Sequence, residues 1–198
     1  MKSLIIVSNR LPFIVSNNED GTSNRVNSAG GLVTALTPLV INSNGFWIGW
    51  AGKELCETMS IPESDDATSI AHNLKSSQIV PIYFEEETYK NYYNGMCNAS
   101  LWPLLHSLPT HTIFSSSYWS SYVEVNTTFS NACLETLKKI SSKSSETIDV
   151  HKNNLVWIHD YHLLMLPMML KNKIDDAGIS CRIAFFLHVP FPSWDIFR

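Results

Sequence analysis

Short apolar runs alternate along this chain with longer segments of helical spacing, and polar stretches separate them. Leu4–Val7 is apolar, rich in β-branched residues and bounded by polar ones, which predicts a buried parallel strand. The Asn-, Ser- and Gly-rich stretch Ser16 to Asn27 predicts a loop. Gly30-Gly31 then opens a helical segment over Leu32 to Val40, with Pro38 limiting its undistorted length. Phe46–Trp50 predicts a second strand. Gln78–Phe84 predicts a third, placed at an edge or bulge by Pro81. Glu85 to Tyr93 carries acids in its first turn, as a helix N-terminus prefers. Ser117 to Ile140 contains a longer helix, with Val125, Phe129 and Leu137 on one stripe. Ser141 to Asn154 is polar and loop-like. Leu155–His159 predicts a strand, Leu163–Lys171 a helix and Arg182–His188 another strand.

Alternating strands and helices, with strands apolar enough to be buried on both faces, predict an α/β fold with a mostly parallel sheet. Ligands of such sheets bind at the carboxyl ends of the strands. Asn9-Arg10, Gly49-Trp50, His159-Asp160 and His188 fall there. Composition supports a packed domain: 44% of the 198 residues are hydrophobic and 16% charged. A net charge of −4 argues against a nucleic-acid surface, yet leaves room for a local basic site that binds a phosphorylated small molecule. Cys56, Cys97, Cys133 and Cys181 are widely spaced with no Cys-x-x-Cys pair. They predict reduced, mostly buried thiols in a cytoplasmic protein rather than a zinc site. The apolar run at the N-terminus is too short for a secretory signal, and none approaches the roughly 18 residues of a membrane span.

Six segments could carry chemistry. In Ser8–Pro12, Arg10 follows a buried strand, where a guanidinium can grip a phosphate or cap the sheet edge. In Ser28–Leu32, Gly30 and Gly31 at a helix start let backbone N–H groups approach an anion, although a plain turn uses the same residues. In Phe46–Gly52, two tryptophans flank a glycine, either as a sugar-stacking wall or as core. In Tyr92–Pro103, Tyr93 and Trp102 offer an O–H and an N–H donor, or else pack in the core. In Val156–Pro167, the polar cluster His159-Asp160-Tyr161-His162 ends a buried strand, which is costly unless the groups are satisfied or used. Two His and one Asp in one turn lack defined metal-ligand geometry, so Asp160 accepting from sugar hydroxyls is the better reading. In Phe185–Arg198, His188 caps a strand before Pro190 and Pro192 turn the chain away. No Gly-x-Ser-x-Gly elbow, Walker loop or His-Glu-x-x-His is present.

In order, SNRLP, SAGGLVTAL, WIGWAG, YYNGMCNASLWPLLH, WIHDYHLLMLP and FFLHVPFPSWDIFR resemble the signatures of the trehalose-6-phosphate synthase family, from residue 3 to 198. The resemblance implies a two-domain GT-B glycosyltransferase that transfers glucose from UDP-glucose to glucose 6-phosphate with retention, using no cofactor and no metal. On that resemblance residues 1–198 form the acceptor-side, Rossmann-like N-terminal domain, cut short, with the donor-nucleotide domain missing. Arg10, Trp50, Tyr93, Trp102 and Asp160 are the expected acceptor contacts. Gly30, Gly31 and His188 are the expected donor contacts, and Asp160 and His188 the catalytic pair. The chain departs from the family pattern at Trp194, where a small polar residue is usual. The resemblance implies small-molecule partners only, with no nucleic acid or membrane, and self-association or a synthase complex through the full-length protein. Two other readings stay open: a non-catalytic regulatory homologue, and a sibling enzyme acting on another phosphorylated polyol.

Overall fold

The computed structural model describes residues 3–17, 23–27, 31–53, 61–62, 73–143 and 154–197. Gly30, Cys56 and most of the loop expected at Ser141 to Asn154 lie outside the described residues, although 141–143 continue a helix. The frame is a five-stranded, all-parallel sheet of order β5-β4-β1-β6-β7. Its strands are β1 (Leu4–Arg10), β4 (Phe46–Trp50), β5 (Ile79–Ile82), β6 (Leu155–His159) and β7 (Arg182–Phe186). The apolar run at Leu4–Val7 sits at the centre, with Ile5 facing Phe46 on one neighbour and Val156 on the other. Pro81 lies in β5, an edge strand, where a missing N–H costs no ladder bond.

Side chains alternate across the sheet with period two. Ile5 and Val7 point into one core, Ile6 into the other. The second core is covered by α1 (Gly31–Asn42), through Leu36 and Val40, and by a small antiparallel hairpin. That hairpin, β2 (Phe13–Asn17) with β3 (Ser23–Asn27), corrects the loop expected from Ser16 to Asn27. Phe13 and Val15 bury one face of it. The inward residue of β3 is Arg25, whose guanidinium donates to the Leu74 carbonyl at 2.8 Å and to Ser76 Oγ at 2.9 Å, over the Phe13 ring. Hydrogen bonds satisfy that buried position, so the strand carries no hydrophobic signal.

The first core is closed by a continuous helical run and two long helices. The run comprises α2 (Glu86–Tyr89), a π-helical segment (Lys90–Leu101) and α3 (Trp102–Leu105). Within it the Trp102 N–H donates to the Cys97 carbonyl, five residues back. α4 (Ser116–Lys143) buries Tyr122, Val125, Phe129, Cys133 and Leu137, spaced three and four apart. Burying each Leu- or Phe-sized side chain stabilises by about 1.5–3 kcal/mol. α5 (Leu166–Asp176) packs beside α4 and starts later than the expected Leu163, because Tyr161–Leu163 form a 3₁₀ turn and Pro167 sits in the first helical turn. A short helix, α6 (Trp194–Phe197), follows β7. β7 departs from the expectation of strands buried on both faces: Phe185 and Phe186 are 36% and 49% exposed, because this strand is an edge.

Gly49 marks a close backbone approach between β4 and the end of β1. A methyl on its Cα would lie 2.6 Å from the Arg10 carbonyl carbon and 2.7 Å from the Leu11 nitrogen. Both are backbone atoms and cannot swing aside. Gly49→Ala is expected to destabilise the fold by about 1–3 kcal/mol, as overpacking does. A urea titration reads this as a lower midpoint at unchanged slope.

Candidate functional site

The site begins where β1 leaves the sheet. Ser8 Oγ accepts from Trp47 Nε1 at 2.9 Å and donates to the Arg10 carbonyl at 2.7 Å. The Leu11 N–H donates to the Trp50 carbonyl at 3.1 Å. These bonds fix the backbone on both sides of Arg10. They also separate the two tryptophans of Phe46–Gly52: Trp47 is buried in the core, whereas Trp50 lines a cavity. Positions three apart on a strand face opposite ways.

That cavity has a volume of about 430 Å³. Its wall is a stack of rings. Trp50 and Tyr89 lie 3.7 Å apart at 18°, and Tyr89 and Tyr93 lie 5.3 Å apart at 12°. The Arg10 guanidinium sits 5.5 Å from the Trp50 ring centre and 5.2 Å from that of Tyr93, with Nη2 donating to Tyr89 Oη at 3.4 Å. Among the described residues no carboxylate pairs with Arg10, an exposed residue that lines the cavity. Burial raises the Tyr89 hydroxyl pKa, partly offset by Arg10, and keeps it protonated as a donor. Lys53, Lys90 and Glu86 complete the rim, and Lys53 Nζ lies 2.6 Å from Glu86 Oε1. Lys53, Glu86, Tyr89 and Lys90 were not among the expected site residues. The signal was present as helical spacing, since 86, 89, 90 and 93 share one face.

The ring stack continues past Tyr93. His162 lies 5.7 Å from it at 11°, Tyr161 lies 4.1 Å from His162, and Trp102 lies 5.6 Å from Tyr161. Trp102 is 43% exposed and does not line the cavity. Asp160 stands at the end of β6 with φ 78° and ψ 165°, a region glycine favours and other residues enter at a cost of roughly 1–3 kcal/mol. Its Oδ1 accepts from the Tyr161 N–H at 2.9 Å and the His188 N–H at 3.3 Å. Its Oδ2 lies 3.6 Å from His162 Nδ1. His188 also faces His159, with Nε2 and Nδ1 3.1 Å apart. Burial, then the neighbouring His188, lowers the His159 pKa to about 4. Burial also lowers His162 to about 4, opposed by Asp160 and reinforced by Arg10.

The structure therefore brings Arg10, Trp50 and Tyr93 together and ties Asp160 to His188. His162 joins the two groups, and Trp102 stands at the far end of the stack. Gly31, exposed, is the first residue of α1. No helix among the described residues is long and apolar enough to cross a membrane.

A cation between stacked rings at the carboxyl edge of a parallel sheet, with an acid and an imidazole on the next strands, defines a Rossmann-like ligand-binding domain. The model for Glycosyltransferase family 20 matches residues 2–198, and the chain belongs to that family. It is 42% identical over 196 residues to alpha,alpha-trehalose-phosphate synthase (UDP-forming) A of Dictyostelium discoideum, covering 98% of this chain and 23% of that protein. An E. coli trehalose-6-phosphate structure bound with UDP-2-fluoro glucose superposes with a TM-score of 0.68 at 27% identity, covering 98% of this chain and 35% of the other. The Burkholderia xenovorans synthase in complex with glucose-6-phosphate gives 0.59 at 25% identity, with coverage of 98% and 35%. The fold is thus the Rossmann-like one of the GT-B trehalose-phosphate synthases, and the chain spans about a quarter to a third of its relatives' length.

The two depressed imidazoles make a pH prediction. Both stay neutral in the folded chain down to about pH 4, while the unfolded chain protonates them near 6.5. Between those values the unfolded state binds more protons, so stability falls as pH drops from about 6.5 to about 4. Thermal unfolding at pH 7, 6, 5 and 4.5 should show a falling midpoint. His159→Asn should lower the pH 7 value and flatten the slope.

Proposed function

We propose that this chain is the acceptor-side domain of a retaining glucosyltransferase that moves glucose from UDP-glucose to glucose 6-phosphate, yielding trehalose 6-phosphate. One observation carries the reading: a guanidinium with no acidic partner among the described residues, set against Trp50, Tyr89 and Tyr93 in a cavity rimmed by Lys53, Glu86 and Lys90. Cations and phenol hydroxyls suit a phosphate, and ring faces suit a sugar's apolar face. The Burkholderia xenovorans relative holds glucose-6-phosphate.

In this reading Arg10 grips the acceptor phosphate, Trp50, Tyr89 and Tyr93 form the wall, and Trp102 flanks it. Asp160 accepts from a sugar hydroxyl through Oδ2, the oxygen its backbone partners leave open. His188 meets the donor glucose. Gly31, the first residue of the twelve-residue helix α1, offers its N–H to the donor diphosphate, a role the sequence assigns to Gly30 as well. The acceptor hydroxyl attacks the anomeric carbon on the face the diphosphate leaves. The carbon–phosphate-oxygen bond breaks as the new glycosidic bond forms, and the acceptor proton passes to the departing phosphate. Stabilising that leaving charge is the main catalytic device. A donor-binding domain beyond these residues completes the cleft. The free thiols Cys97, Cys133 and Cys181 fit a reducing cytoplasm.

In the completed enzyme, Arg10→Ala should raise KM for glucose 6-phosphate by about 10–100-fold, the worth of a hydrogen bond to a charged group, with kcat less affected. An unchanged KM removes Arg10 from the acceptor site. Glycerol phosphate offered in place of glucose 6-phosphate separates a sibling acceptor from the proposed one. The 198-residue chain by itself should release no UDP when given both substrates, and glucose 6-phosphate-dependent UDP release from it would overturn that part of the reading.

A further inference from the structure

We infer that Tyr122 and Asn126 of α4, with Tyr92 of the π-helical segment, are positioning residues that clamp the backbone of the turn carrying Asp160 and His162. The inference rests on the acceptor-site reading above. Its observations are separate from that reading, because none of the three residues lines the cavity.

The clamp is built entirely from buried polar groups. Tyr122 is 1% exposed, and Asn126 and Tyr92 are fully buried. The Tyr122 hydroxyl donates to the Tyr161 carbonyl at 2.7 Å and accepts from the Leu164 N–H at 3.0 Å. One side chain thus closes both ends of the 3₁₀ turn. Asn126 Nδ2 donates to the His162 carbonyl at 3.3 Å while bonded to the Tyr122 carbonyl at 2.9 Å on its own helix. The Tyr92 hydroxyl lies 3.4 Å from the same His162 carbonyl and donates to Asn9 Oδ1 at 2.9 Å. Asn9 adjoins Arg10, so the clamp references the turn to the strand that carries the cavity's cation.

The turn needs such support. Asp160 holds a positive φ outside proline and β-branched tolerance, and such a conformation persists only where its surroundings over-determine it. Its own side chain contributes one bond within the turn, to the Tyr161 N–H. The Leu163 N–H donates to the Asp160 carbonyl within the turn, and further restraint comes from the Phe186 carbonyl, the His188 N–H, Tyr92 and α4. Without the Tyr122 hydroxyl, the Tyr161 carbonyl and Leu164 N–H lose their partner in a buried place. The turn then relaxes, and Asp160 Oδ2 and the His162 ring leave their register with Tyr93. Burial holds the Tyr122 hydroxyl far above its ordinary pKa, so it donates across the working pH range.

Tyr122→Phe keeps the ring and deletes the hydroxyl. In the completed enzyme, kcat is expected to fall on the order of tenfold to a hundredfold, the effect of an ångström-scale misplacement. KM for glucose 6-phosphate should rise by less than kcat falls, because Arg10 still holds the phosphate while the displaced Asp160 meets only a sugar hydroxyl. Leu137→Ala, on the same helix and distant from the turn, is the control for lost stability alone. It should lower the melting temperature at least as much and leave kcat near wild type, with both assayed well below melting. A second readout needs no activity. In the 198-residue chain, the Asp160 and Leu163 amides should exchange at least about tenfold faster in Tyr122→Phe and not in Leu137→Ala. Wild-type kcat in Tyr122→Phe, equal kcat loss in Leu137→Ala, or unchanged amide exchange would each overturn the clamp. If the completed wild-type enzyme forms no trehalose 6-phosphate while the exchange difference appears, the function reading fails and the clamp stands.

Discussion

The backbone of Gly49 lies against the backbone of Arg10 so closely that no side chain fits between them. The strand register explains the contact. Val7 pairs with Ile48, yet Arg10 pairs with Trp50, so three steps along β1 match two along β4. The extra residue makes a bulge, which re-aims the side chain at the strand end. Ser8, Trp47 and the Leu11 N–H lock that geometry from below. Arg10, an exposed residue, therefore leaves the sheet at the height of Trp50 with its guanidinium over the ring. The placing of Arg10 against the ring stack and the cavity follows from this one packing constraint.

The charges around the edge are segregated. Arg10, Lys53 and Lys90 stand on the β1 and α2 side, where Glu86 pairs with Lys53, and the Asp160 carboxylate stands on the β6 and β7 side. His162 lies between them, and Arg10 and Asp160 act on its protonation in opposite senses. Burial decides the contest and keeps the ring neutral at physiological pH. A neutral imidazole can stack flat on Tyr93 without repelling the nearby guanidinium. The His159–His188 pair obeys the same logic, because a hydrogen bond between two imidazoles at 3.1 Å needs one ring nitrogen to lack a proton. Burial thus keeps His159 and His162 from adding positive charge at this edge.

Much of the fold was legible because the main strands are apolar runs and the long helix has a clean three-four stripe. Leu4–Val7, Phe46–Trp50 and Leu155–His159 were readable as strands, and Val125, Phe129 and Leu137 as one buried face. The hairpin was not, because β3 buries an arginine through hydrogen bonds instead of hydrophobic area. The site was legible at strand ends, where position alone marks Arg10, Trp50, Asp160 and His188. Tyr89 was hidden by its own surroundings: an aromatic residue in an amphipathic helix reads as core, and only the bulge at β1 turns its ring toward a cation. The roles of Tyr122 and Asn126 lie further from any local pattern. They occupy the helix's apolar stripe, and their polar atoms meet backbone about forty residues away in sequence.

The two halves of the site are held by different physics. The half around Arg10 is a stack of large rings beside a bulged strand. Its geometry comes from packing, which is stiff and tolerates the loss of one hydrogen bond. The acid-bearing half is a strained turn whose geometry comes from a few buried hydrogen bonds, each of which leaves an unsatisfied group if broken. Loss of a single polar atom should therefore be felt more at Asp160 than at Arg10, and loss of ring volume more at Arg10 than at Asp160. The ring wall and the Asp160 turn can then vary separately, because packing supports one and hydrogen bonding the other. His162, stacked on the wall and hydrogen-bonded through its carbonyl to the clamp, is where the two supports meet.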